Sequence, residues 1–208
     1  MIYELRTYIL KPGSVRTFEE RFAEALEART KYSPLGGLWH TEIGPLNQVV
    51  HIWPYEDLAH YQTVRAQWSA DPSGKWPPKV GELQLEMQSE FMLPAPFMRP
   101  LTGKPQQLGN IYEMRTYTYQ PGAIPKVLDL WAKAIAQRET HSPLAACLYS
   151  QIGGLNRYVH IWPYQDLNER TRLRAKSFED PDWPPPTQQW LMRQENKILL
   201  PAACSPLH

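Results

Sequence analysis

The sequence predicts an α+β protein of two tandem ferredoxin-like units, each ordered β-α-β-β-α-β, whose sheets face each other as a pseudo-two-fold barrel. Three observations lead there. First, the chain repeats itself: IYELRTY at Ile2 to Tyr8 returns as IYEMRTY at Ile111 to Tyr117, and GPLNQVVHIWPYEDL at Gly44 to Leu58 returns as GGLNRYVHIWPYQDL at Gly153 to Leu167. The spacing stays at 109 residues, from Ile2 to Ile111 and from His51 to His160. Second, each copy switches between the period of a strand and that of a helix. Third, the first strand carries large residues on both alternations, Tyr3, Leu5 and Ile9 on one side and Ile2, Tyr8 and Leu10 on the other. Helices can cover one face of such a sheet, and a second copy is needed to cover the other.

Taken in order, Ile2 to Leu10 alternates as a strand and ends at the turn Lys11-Pro12-Gly13, matched by Gln120-Pro121-Gly122. Ser14 is the expected N-cap of a helix whose stripe runs through Val15, Phe18, Phe22, Ala25 and Leu26. In the second copy Ile124, Val127, Trp131, Ala134 and Ile135 draw the same stripe, and the helices stop before Ser33-Pro34 and Ser142-Pro143. Leu35 to Ile43 and Gln48 to Trp53 form an antiparallel hairpin about Gly44-Pro45-Leu46-Asn47. A second helix is expected from Tyr55 to Trp68, with Leu58, Tyr61, Arg65 and Trp68 on one side, and a last strand from Glu82 to Leu93. The first unit spans residues 1–96, a Pro-rich linker 97–109, and the second unit 110–208.

Composition narrows the function. With 22 basic against 21 acidic side chains, a net charge of +1 and no long run of either sign, the chain offers no footprint for nucleic acid or an anionic membrane. No apolar run suits a membrane span, and a first strand at Ile2 leaves no room for a signal peptide, so a cytoplasmic location is expected. Cys147 and Cys204 match no CxxC, and an apolar counterpart, Leu38, marks Cys147 as a buried small hydrophobe. No HExxH, CxxC, Gly-rich phosphate loop or GxSxG is present, and His40-Thr41-Glu42 is a weak pair of ligands at best, so neither metal nor cofactor is expected.

YELRTY followed by LysProGly, TEIGPLNQVVHIWPYEDL at Thr41 to Leu58, and Arg65 followed by Asp71-Pro72 and the Trp76 loop resemble the NIPSNAP family. The resemblance covers both halves and implies the dimeric α+β barrel form of the ferredoxin-like fold. The second copy departs from it at Tyr149-Ser150-Gln151, where the first has His40-Thr41-Glu42, and at Gly154 in place of Pro45. The family supplies no defined reaction, and some eukaryotic relatives are linked to mitochondria and to protein interaction. The wider barrel group includes cofactor-independent monooxygenases, lactone isomerases and haem-handling enzymes, which use a pocket between sheet and helices.

Residues present in both copies are the candidates for chemistry. Glu4, Arg6 and Tyr8, with Glu113, Arg115 and Tyr117, alternate onto one strand face. They serve either as a Glu-Arg network locking the two sheets in register, or as a site in which Arg6 and Arg115 hold an anionic or carbonyl ligand and Tyr8 and Tyr117 donate to it. His51 and Trp53, with His160 and Trp162, share another face, and an imidazole lining a cavity is a candidate catalytic base. Arg65 and Arg174 on the second helix stack on aromatic rings or reach the ligand, and Trp76-Pro77-Pro78 and Trp183-Pro184-Pro185 are placed to lie over a pocket mouth. The expected occupant is a small organic molecule in a cavity of at least about 300 Å³, turned over by an oxygenase or isomerase without a prosthetic group. The alternative is a non-catalytic interaction or scaffold protein. Either form is an intramolecular pseudo-dimer with scope for further homo-oligomerisation.

Overall fold

The computed structural model describes residues 1–208. The first copy forms β1 (Ile2–Leu10), α1 (Val15–Thr30), β2 (Gly37–Ile43), β3 (Gln48–Tyr55), α2 (Leu58–Ser69) and β4 (Gln84–Pro94). The second forms β5 (Ile111–Tyr119), α3 (Ile124–Glu139), β6 (Ala146–Ile152), β7 (Arg157–Tyr164), α4 (Leu167–Ser177) and β8 (Leu191–Pro201). All eight strands close into one barrel in the order β1-β3-β2-β8-β5-β7-β6-β4. Each copy supplies four antiparallel strands, and the copies join where β2 pairs with β8 and β4 with β6.

Strand alternation divides the apolar residues between two compartments. Tyr3, Leu5, Val50 and Ile52 point into the barrel and meet Tyr112, Met114, Val159 and Ile161 of the other copy. Tyr8, Leu10, Val49 and Trp53 point outward and pack under α1 with Phe18 and Phe22. Glu4 and Arg6 share that outward face, so they do not lock the sheets in register: residues 3, 5 and 7 lie between them and the partner sheet.

Three local expectations change. Ser14 holds the N-cap position in helical geometry (φ −93°, ψ −5°) without a side-chain bond, so the turn before it, with Gly13 at φ +79°, starts α1. The second helix begins at Leu58 rather than Tyr55, because Tyr55 extends β3 as a buried residue and Asp57 caps the helix by accepting from the His60 N–H at 2.8 Å. Within α2 it is Val64 that is buried, while Leu58 is exposed. The hairpins turn as expected, with Asn47 at φ 56° and Asn156 at φ 59° in the left-handed region that Asn tolerates.

The segment between the copies is packed rather than loose. Leu101 enters the barrel core, and a parallel bridge from Gln106 to Leu207 holds the last residues beside it. No helix is long and apolar enough to cross a membrane.

Candidate functional site

A cavity of about 360 Å³ lies between the outer face of β1 and β3 and the helices of the first half. Arg6 faces His51 and Glu4 faces Trp53 across the β1–β3 pair, so register alone gathers all four on its floor. Trp76 covers it, 5.3 Å from the Phe22 ring and 5.7 Å from Trp53. The Trp-Pro-Pro loop thus contributes Trp76, Pro77 and Pro78 to the lining of the pocket.

His51 is 2% exposed. The Trp53 indole N–H donates to its Nδ1 at 2.7 Å, and an indole nitrogen can only donate, so the neutral ring carries its proton on Nε2. Burial first, then the charges of Arg6 and Arg29, hold its pKa well below the ordinary 6.5. The Nε2–H has no acceptor in the protein. This corrects the expected catalytic base: with Nδ1 occupied, the remaining N–H of His51, and of its counterpart His160, is a buried donor without an acceptor in the protein.

Glu4 is buried among hydroxyls and one arginine. Arg6 pairs with it at 2.7 Å, Ser89 donates at 2.7 Å and Tyr55 at 3.2 Å. Arg29 donates in turn to Tyr55 at 2.9 Å and to Ser33 at 3.0 Å, with its guanidinium 4.3 Å over the Trp53 ring. Burial lowers the Arg29 pKa and raises that of Tyr55. Sequence reasoning missed Arg29, because a basic residue in the last turn of a helix reads as a dipole-compensating surface charge. The overlooked signal was its recurrence as Arg138, together with Ser33 as Ser142 and Tyr55 as Tyr164. Arg65 reaches the rim, stacked 5.6 Å over Tyr61 and 5.2 Å over Trp68. It pairs with no carboxylate, so one acid, Glu4, faces the three cations Arg6, Arg29 and Arg65.

The second half repeats the plan around about 250 Å³. Trp162 donates to His160 Nδ1 at 2.6 Å, and burial, then Arg115, Arg174 and Arg138, lower the His160 pKa well below the ordinary value. Arg115 bonds Tyr117 at 2.8 Å and Glu113 at 2.9 Å, while Arg138 lies 4.3 Å over Trp162. Arg170, standing where the first copy has Tyr61, bonds Glu113 at 2.6 Å, and Arg174 approaches it to 3.6 Å. Burial would raise the Glu113 pKa, but the Arg170 bond and the three guanidinium charges outweigh it and leave the pKa below normal. The structure thus gathers Arg6, Tyr8, His51, Trp53 and Arg65 at one cavity and Arg115, Tyr117, His160, Trp162 and Arg174 at the other. His40 lies elsewhere, bonded through Nδ1 to Glu19 at 2.7 Å, and Cys147 is buried.

Closed barrel and paired outer pockets define the class, a dimeric α+β barrel built within one chain. The NIPSNAP family model matches residues 3–99 and again 112–206. The chain belongs to the NIPSNAP family. Human Protein NipSnap homolog 3A is 30% identical over 215 residues, covering 100% of this chain and 86% of its own length. The Dictyostelium discoideum NipSnap homolog is 30% identical over 186 residues, 88% of this chain and 78% of its own. Among solved structures, a candidate monooxygenase from Lactobacillus acidophilus aligns over 96% of this chain and 92% of its own at a TM-score of 0.67. At 10% identity that likeness concerns the fold alone.

Proposed function

We propose that the protein binds a small organic molecule in the first cavity, with an acceptor oxygen of the ligand on His51 Nε2–H and Arg6 and its apolar body against Trp53, Trp76 and Phe22. The observation that carries this is the buried His51 N–H without an acceptor. Leaving such a donor unpaired costs about 1–3 kcal/mol, which a ligand oxygen recovers. The same two donors suit a carbonyl on which negative charge develops when a neighbouring C–H loses its proton, and Glu4 is the carboxylate bordering the cavity. Returning that proton from Glu4 to another carbon is isomerisation; attack of the carbanion on O₂ as co-substrate forms a C–O bond and a peroxide, which takes the proton back and loses water to leave a new carbonyl, an oxygenation without a prosthetic group.

The test is calorimetric titration and thermal shift with a panel of aromatic and aliphatic carboxylates and ketones. At least one class should raise Tm, and His51→Ala, folded by circular dichroism, should bind it about tenfold more weakly, roughly 1.4 kcal/mol. A panel that leaves Tm unmoved, or equal binding by the variant, would refute it.

A second reading, a non-catalytic interaction protein, draws on β4 and β8. Residues 84–90 and 191–197 are paired on one side only, and Leu85, Met87 and Met192 are exposed along them. Unpaired strand edges recruit further strands. Sedimentation showing a monomer at every concentration would remove self-association from this reading.

A further inference from the structure

The two cavities share a floor but differ in what they can admit. Where the first has Phe22, the second has Trp131, whose ring lies 4.8 Å from His160, against 5.5 Å from Phe22 to His51. Behind it the fully buried Tyr158, 5.0 Å from Trp131, takes the place of Val49. At the exposed rim Gln188 replaces Gly81 while Ser177 replaces Trp68, and the volume falls from about 360 to about 250 Å³. Part of that bulk is taken up where Val127 replaces Phe18, and the rest narrows the void.

The cations differ as well. Arg65 stands at the first mouth with no carboxylate partner, whereas its counterpart Arg174 lies 3.6 Å from Glu113, which Arg115 and Arg170 also hold. A guanidinium already committed to an internal acid is less available to an incoming anion. The first cavity combines an uncommitted cation at its rim with walls of Trp53, Trp76 and Phe22, which suit a flat apolar body carrying one negative group.

Resting on the ligand-binding reading above, we infer that the halves have diverged: the first cavity takes a bulky aromatic carboxylate, one per chain, and the second excludes it. Trp131, Tyr158 and Gln188 set the exclusion, and Arg65 at the mouth draws the carboxylate in towards His51 Nε2–H and Arg6.

Native mass spectrometry and calorimetry of the full chain with anthracene-9-carboxylate test this. The wild type should bind one molecule per chain. The triple variant Trp131→Phe, Tyr158→Val, Gln188→Gly should bind two. The reverse change, Gly81→Gln, meets nothing within 4 Å of the new Cβ, so it should leave the fold intact while weakening wild-type binding at least tenfold. That variant decides the matter even if the triple one does not fold. Two molecules bound by the wild type, a folded triple variant that still binds one, or undiminished binding by Gly81→Gln would overturn the divergence alone. If neither this probe nor any compound of the wider panel binds, the ligand-binding reading itself falls.

Discussion

Trp53 and His51 decide what the site can do, because the indole N–H fixes which imidazole nitrogen carries the proton. Trp53→Phe removes that lock and should cost about 1–2 kcal/mol in chemical denaturation, while Trp68→Phe at the rim should cost clearly less. Arg29 tests the missed network: Arg29→Met strips a charged donor from Tyr55 and Ser33 and should destabilise by about 2–3 kcal/mol, whereas exposed Arg16→Ala should leave the midpoint unchanged. Acid should weaken the fold through His51, His160 and Glu113. Each has a folded pKa below its unfolded value, so its contribution is complete above the unfolded pKa and is lost as pH falls towards the folded one. For the histidines the loss begins near the ordinary 6.5, and for Glu113 near 4.5, so the urea midpoint should fall between pH 7 and pH 5 and again below pH 4.5. The Glu19 bond raises the His40 pKa and works the other way in this window, so the decisive result is in His40→Gln, where a midpoint flat from pH 7 to pH 5 would show that His51 and His160 are not buried neutral. Period-two alternation made the grouping of Glu4, Arg6 and Tyr8 legible in the sequence. Which side of the sheet they faced was not, since both alternations carry large side chains and only the assembled barrel separates inside from outside.

Elements with caps and turns were legible where backbone chemistry is local, and less so where tertiary packing overrides it. The Gly and Asn of both hairpins announced their turns, but the serine before α1 does not cap, and Tyr55 joins a strand because its ring is needed beneath α1 beside Arg29. Helix α2 has a single buried residue, Val64, and depends on its Asp57 cap. Asp57→Ala should therefore cost about 1 kcal/mol in denaturant melts, with Asp57→Asn nearly neutral. Because α2 carries Arg65 and Trp68 to the cavity rim, the alanine variant should also weaken ligand binding without touching the floor residues.

At the scale of the whole molecule, the repeat explains the barrel. One copy leaves Tyr3, Leu5, Val50 and Ile52 uncovered, and the other copy covers them through the two strand pairings that close the ring. Residues 1–109 expressed alone should consequently run as a dimer or aggregate in size exclusion, and a well-behaved monomer would contradict this account of packing. The same duplication limits what sequence could say about function, since residues kept in both halves for the fold look like residues kept for chemistry. Differences such as Phe22 against Trp131 acquire meaning only once the cavity they border is seen. The most direct test of the site is the side-chain ¹⁵N spectrum of the histidines in the intact protein at pH 7, recorded with and without anthracene-9-carboxylate. The expected result is that His51 and His160 are neutral with the proton on Nε2, and that the compound shifts the His51 Nε2–H resonance while His160 stays unchanged. A proton on Nδ1, a charged ring, or binding that leaves His51 unmoved would contradict it.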